Sequence, residues 1–158
     1  MFRIGIGHDT HRLVEGRPLI LGGVGIESER GGEGHSDADA LTHAIADAVL
    51  GALGEGDLGA HFPDSDAQWK DANSLDLLAR IMWLVSERGF QVVNVDATVM
   101  LEQPRLRAQI ATMRENLART LGVDTNFISV KAKTGEGLDA VGRGEAVTVH
   151  AIVLLEGS

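Results

Sequence analysis

The stretch GHDTH, residues 7–11, places two histidines and an aspartate within four consecutive positions, directly after an apolar run. In an extended chain alternate side chains point to opposite sides, so Asp9 and His11 share one face while His8 and Thr10 take the other. Only His11 pairs naturally with Asp9, and a metal centre built on the two needs a third ligand from elsewhere. The chain has no cysteine, which excludes disulfides and thiolate zinc sites. Any zinc would rest on histidine and carboxylate, and a catalytic ion would keep one coordination position open.

The segment HSDADALTH, residues 35–43, offers the third ligand. A helix is predicted from Ser36: the serine can cap it, and Asp37 and Asp39 suit the positive end of the helix dipole. With Leu41 as the reference and about 100° per residue, Ile45, Ala48 and Ala52 cluster on one side, whereas His43 lies about 160° away. His43 is therefore off the core face, and Asp39 and Asp47, one turn to either side, are candidates to hold its ring through a hydrogen bond. Asp9, His11 and His43 form a two-histidine, one-carboxylate set. Spacing alone does not bring His43 to Asp9, and a turn with a satisfied histidine competes with a metal site.

The remaining periodicity supplies the frame. Phe2–Gly7 reads as a buried strand, and RPLILGGVGIE (17–27) as two short strands about a Gly-Gly turn. ERGGEGHSDAD reads as a loop, and residues 55–73 as a second, long polar loop, a length more often functional than accidental. A helix runs from about Ser74 to a stop at Gly89, with Leu78, Ile81, Met82 and Val85 inward; another follows Pro104 with Leu106, Ile110, Met113, Leu117 and Leu121 inward. Strands are expected over 92–101, 126–133 and 145–156, the last apolar on both faces and hence central or at an interface. The expected fold is α/β (α+β): a single sheet of mixed strands with helices on one face and a small N-terminal hairpin, in one domain over 1–158.

Composition narrows the partners. A net charge of −9 across 158 residues argues against nucleic acid or an anionic membrane surface. No run is long and apolar enough to cross a bilayer, and MFRIGIGHD lacks the form of a signal peptide, so a cytoplasmic location is expected, or a plastid-like one if a targeting segment has been removed.

The residues then match a known family. GHDTHRL, RPLILGGV, HSDADALTHAIADAVLGA, GDLGAHFPDSD, NVDATVMLEQPRL, VKAKTGEGL and GRGEAV occur in the order and spacing of the 2-C-methyl-D-erythritol 2,4-cyclodiphosphate synthases of the non-mevalonate isoprenoid pathway, which the chain resembles from end to end. The resemblance implies that Asp9, His11 and His43 hold zinc, and that Glu136 binds a second divalent ion, magnesium or manganese. It places His35 and Ser36 at a phosphate-contacting pair. It assigns Asp57, Leu58, Gly59, Phe62, Pro63, Asp64, Ser65 and Asp66 to the methylerythritol. Leu101, Arg105, Leu106, Arg107, Ala132, Lys133 and Thr134 correspond to the pocket for cytidine and its phosphates. His35 and Thr134 would steady the transition state by donating hydrogen bonds. A homotrimer with active sites between subunits is implied.

In the implied reaction an oxygen of the 2-phosphate attacks the β-phosphorus of the diphosphocytidyl group and expels CMP. The attack is intramolecular, so the protein supplies in-line positioning and charge neutralisation rather than a nucleophile. The chain departs from many relatives in reading AKTGE for ATTTE, and in carrying His8 before Asp9. His8 is expected to face the trimer interior, near a cavity that in the family can hold an isoprenoid diphosphate close to Arg143 and Glu145 of GRGE. That pair reads equally well as a surface ion pair at a glycine turn. His61 is expected to be a solvated loop histidine, His150 a satisfied interior one, and Trp69 and Trp83 packing residues without a basic partner. Two other activities remain open at this point: a two-metal nucleotide phosphohydrolase, and a non-catalytic trimeric binder of isoprenoid diphosphates.

Overall fold

A computed structural model describes residues 1–157. In chain order the elements are β1 (Phe2–Glu15), β2 (Leu19–Leu21), β3 (Val24–Ile26), β4 (Arg30–Gly32), α1 (Ala40–Leu53), α2 (Leu58–His61), α3 (Ser74–Glu87), β5 (Phe90–Met100), α4 (Ile110–Leu121), β6 (Ile128–Lys133), α5 (Asp139–Gly142) and β7 (Ala146–Gly157). Five strands form one sheet in the order β4-β1-β7-β5-β6, and β2 pairs with β3 in a separate hairpin. Only β5 and β6 run parallel; the other pairings are antiparallel. The expected mixed sheet and hairpin are therefore present.

Alternation along the strands sorts the two faces. Val147, Val149, Ala151, Val153 and Leu155 of β7 meet Val95, Ala97 and Val99 of β5 in a core closed by Leu41, Ile45, Val49, Leu78, Met113 and Leu117 from the helices. The opposite face lies open: Phe2, Ile4 and Ile6 are each more than 60% exposed, and Ile152 of β7 is 46% exposed. β7 is the central strand, as its apolar content required.

Several boundaries differ from expectation. The first strand does not stop at Gly7 but runs on to Glu15, because GHDTHR continues the ladder against β7, with His8 opposite His150 and His11 opposite Val147. Part of the glycine-rich loop forms β4 against the end of β1. The first helix begins at Ala40, not Ser36, and Asp39 caps it by accepting from the Thr42 amide; Ala38, at φ 55°, breaks any earlier start. The long loop contains α2 and a 3₁₀ turn at Ala67–Trp69. The third long helix starts at Ile110, although Leu106 is buried as expected. The strand expected from Asn126 begins at Ile128, after a 3₁₀ turn over Thr125–Phe127.

Candidate metal centre and cavities

β1 carries Asp9 and His11 on the same side as Gly5, Gly7 and Leu13, the side that packs beneath α1. That packing is unusually close. A Cβ added at Gly7 would fall 1.8 Å from the Ala44 carbonyl oxygen, and one at Gly5 1.8 Å from that of Ala48. Glycine on the strand and alanine on the helix thus let the two backbones approach, and the approach brings His43 down onto Asp9.

Asp9 Oδ2 lies 2.8 Å from His11 Nε2 and 3.1 Å from His43 Nδ1, and the two ring nitrogens are 3.3 Å apart. Three donors of the kind zinc accepts therefore converge, and this is the one such group of three among the described residues. On its far side, His11 Nδ1 is 2.8 Å from the Glu33 carbonyl oxygen. A carbonyl only accepts, so Nδ1 carries the proton and His11 Nε2 turns a lone pair toward Asp9 and His43. Two imidazole nitrogens this close to each other and to a carboxylate call for a proton or a cation between them; the donor set fits a metal ion. Burial alone would raise the Asp9 pKa, but in the metal-free protein the contacts with His11 and His43, whose imidazolium forms it favours, outweigh it and hold the carboxyl well below its usual range. For His11 burial works against the imidazolium, yet the contact with Asp9 prevails and raises its pKa.

The three residues line a cavity of about 420 Å³ with His35, Ser36, Asp47, Asp57, Leu58, Gly59, Phe62 and Asp64. His35 Nε2 is enclosed there without a hydrogen-bonding partner among the described residues, a donor or acceptor left over for a ligand. Asp57 caps α2 through the Ala60 amide, and Asp47 accepts from the Leu58 amide at 2.7 Å. Burial raises the Asp47 pKa in spite of that bond. Pro63, Ser65 and Asp66 continue the same loop, with Asp66 capping the 3₁₀ turn.

Neither Asp39 nor Asp47 holds the His43 ring, contrary to expectation. Asp39 is fully buried and is committed to the amides of Gly22, Gly23 and Thr42 and to the Thr42 hydroxyl. His43 Nε2 lies instead 2.7 Å from Ser74 Oγ and 3.2 Å from Ser36 Oγ. Ser74 escapes a reading of the sequence because the long loop separates it from His43, and no local spacing links them. Glu102 was missed for the same reason: it accepts from the Gly135 amide at 2.8 Å and anchors the AKTGE turn.

A second cavity of about 400 Å³ is lined by Leu101, Pro104, Arg105, Leu106, Arg107, Ile110, Ala132, Lys133 and Thr134. Glu136 adjoins it, accepting from the Thr134 hydroxyl at 3.2 Å. This cavity is not the one that holds Asp9. His11 opposes Val147, the next residue Thr148 opposes Met100, and Met100 opposes Lys133. Three strand spacings, about 14 Å, thus separate the two sites across the sheet. Arg143 lines neither; it pairs with Glu145 at 3.1 Å on the surface and borders a groove with Arg30 and Glu29.

Other expectations are corrected. His150 is exposed rather than interior, and its ring lies 4.7 Å from that of His8 on the open face of the sheet. His61 is tied to the Glu55 carbonyl at 2.9 Å rather than merely solvated. Trp69 has a basic partner, the Arg80 guanidinium 5.3 Å above its ring, and meets Phe62 edge-on. Trp83 is 66% exposed rather than packed.

Comparison with known proteins places the chain in a family. The family model described as the YgbB family matches residues 2–156. A protein from Salinibacter ruber named 2-C-methyl-D-erythritol 2,4-cyclodiphosphate synthase is 56% identical over 154 residues, 98% of each chain. The solved bifunctional IspDF of Campylobacter jejuni superposes with a TM-score of 0.96 at 42% identity, covering all of this chain and 43% of that longer one. A solved 2C-methyl-D-erythritol-2,4-cyclodiphosphate synthase in its CDP-bound form gives a TM-score of 0.90 at 40% identity, covering 98% of this chain and 100% of the other.

Proposed function

This chain belongs to the YgbB family, and on that premise we propose that it converts 4-diphosphocytidyl-2-C-methyl-D-erythritol 2-phosphate into 2-C-methyl-D-erythritol 2,4-cyclodiphosphate and CMP. It is then a phosphorus–oxygen lyase, one cyclodiphosphate synthase domain over residues 1–158, and a cytoplasmic enzyme. The observation that carries the reading is the convergence of Asp9, His11 and His43 in a cavity shared with His35, Ser36 and the Asp57–Gly59 turn.

Zinc is assigned to Asp9, His11 and His43, and magnesium or manganese to Glu136. Bound divalent ions would offset the charge of crowded phosphates and ease attack at phosphorus. The chain's own residues do the positioning. His35, with its free ring nitrogen, and Ser36 face the phosphates from the loop before α1. The 57–59 and 62–66 segments hold the methylerythritol, fixed by the Asp47 bond to the Leu58 amide. Leu101, Arg105, Leu106, Arg107, Ala132 and Lys133 receive the cytidine and its phosphates, and the Thr134 hydroxyl, which donates to Glu136 in the ligand-free protein, would turn its proton to the transition state when Glu136 takes up its divalent ion. Holding the 2-phosphate oxygen in line with the β-phosphorus replaces a bimolecular attack by an intramolecular one; the bond to the CMP oxygen breaks as the ring closes.

The 14 Å or so between the cavities supports a homotrimer in which one subunit's metal centre faces its neighbour's nucleotide pocket. An isoprenoid diphosphate on the trimer axis is a further proposal; the Arg143–Glu145 pair is available for it. Phosphorus NMR of the products, with magnesium present, tests the activity. The cyclic diphosphate and CMP in equal amounts are expected, and linear hydrolysis products alone would overturn it.

A further inference from the structure

The geometry points to Ser74 and Asp37 as positioning residues for the metal centre, which together fix the ring nitrogen that His43 turns toward it. The inference rests on the metal reading above. Ser74 is 1% exposed and begins α3, yet its hydroxyl reaches across to α1 and lies 2.7 Å from His43 Nε2. The same hydroxyl donates to Asp37 Oδ1, and the Ser74 amide donates to Asp37 Oδ2 at 2.9 Å. A serine hydroxyl has one proton and two lone pairs. With its proton given to Asp37, Ser74 can only accept from His43, so the imidazole proton sits on Nε2. His43 Nδ1, 3.1 Å from Asp9 Oδ2 and 3.3 Å from His11 Nε2, then offers a lone pair. The opposite tautomer would aim an N–H bond into the metal centre and block it.

Asp37 is more than a partner for the helix terminus. Asn73 already caps α3 by accepting from the Leu75 amide at 2.9 Å, whereas Asp37 grips Ser74 through both its amide and its hydroxyl, which fixes the hydroxyl's direction. The arrangement does for His43 what the Glu33 carbonyl does for His11. One ring is oriented by β4's outgoing loop and the other by α3, and both leave their inward nitrogens bare.

Zinc affinity of the metal-free protein, read by competition with a chromophoric chelator, tests this without reference to turnover. Ser74→Ala is expected to bind zinc about 10- to 100-fold more weakly, the range for a lost outer hydrogen bond to a ligating histidine. Ser74→Thr, which keeps the hydroxyl, should recover most of that loss, and the visible spectrum of the cobalt-loaded Ser74→Ala protein should differ from wild type. Zinc affinity within about twofold of wild type in Ser74→Ala would overturn the inference. Asp37→Asn decides the matter should Ser74→Ala fail to fold: weaker zinc binding with an unchanged metal-free melting temperature supports the inference, and unchanged binding overturns it. A wild-type protein that binds no zinc would instead overturn the metal reading itself.

Discussion

Asp9 touches both histidines, and its removal leaves His11 and His43 facing each other with no anion between them. Asp9→Ala is expected to lose stoichiometric zinc and to slow turnover by about a thousandfold, the scale of several kcal/mol of lost charge stabilisation. Metal analysis of the purified variant checks the first part and a rate assay the second. The titrations add a pH signature. In the metal-free protein the depressed Asp9 contributes stability above its ordinary value of 3.8, lost as pH falls through the lowered one. The raised His11 contributes stability in full below its ordinary value of 6.5, lost as pH rises through the raised one. Metal-free stability should therefore decline as pH rises above 6.5. Zinc needs the unprotonated imidazole, so its stabilisation grows over the same range. Melting curves with and without zinc should diverge as pH rises from 6 to 9; a constant gap would contradict the pairing. The partnership of Asp9 with His11 was legible from strand alternation alone. Ser74 was not, because a hydroxyl donated from another helix leaves no trace in local spacing.

At the scale of elements, the metal centre depends on how closely α1 lies on β1. Gly7→Ala would press a methyl group against the Ala44 carbonyl, a backbone atom that cannot yield unless the helix lifts. A loss of about 3 kcal/mol or more is expected in denaturant unfolding, with weakened zinc binding because His43 adjoins Ala44. Stability within 1 kcal/mol of wild type would show that the approach is not needed. The long helices and strands followed from periodicity, but their ends, and the short elements β4, α2 and α5, did not. Ser36 and Asp39 are both good caps by composition. Asp39 wins because its carboxylate also takes the Gly22 and Gly23 amides of the β2–β3 turn, a tertiary contact that outranks local preference. The same holds for β1, whose polar second half is extended only because β7 pairs with it.

For the whole molecule, the open sheet face and the separation of the two cavities both fit the proposed trimer. Phe2, Ile4, Ile6 and Ile152 form an apolar surface that water would disfavour on an isolated chain. In the proposed trimer two further copies would cover it, and Ile6→Glu is then expected to give monomers in sedimentation while leaving metal-free secondary structure intact. A trimeric Ile6→Glu would place the interface elsewhere. In the sequence the trimer is an implication of the family resemblance; periodicity shows only that β7 is apolar on both sides. In the proposed trimer cyclisation occurs where one subunit's Asp9, His11 and His43 meet its neighbour's nucleotide pocket. Co-expression of Asp9→Ala chains with Glu136→Ala chains tests it most directly, with the cyclic diphosphate followed by phosphorus NMR. Each variant alone should be inactive, and the randomly assorted co-expressed population should recover about a quarter of wild-type turnover, since about one interface in four joins two intact halves. Mixed trimers no more active than their parents would contradict the claim.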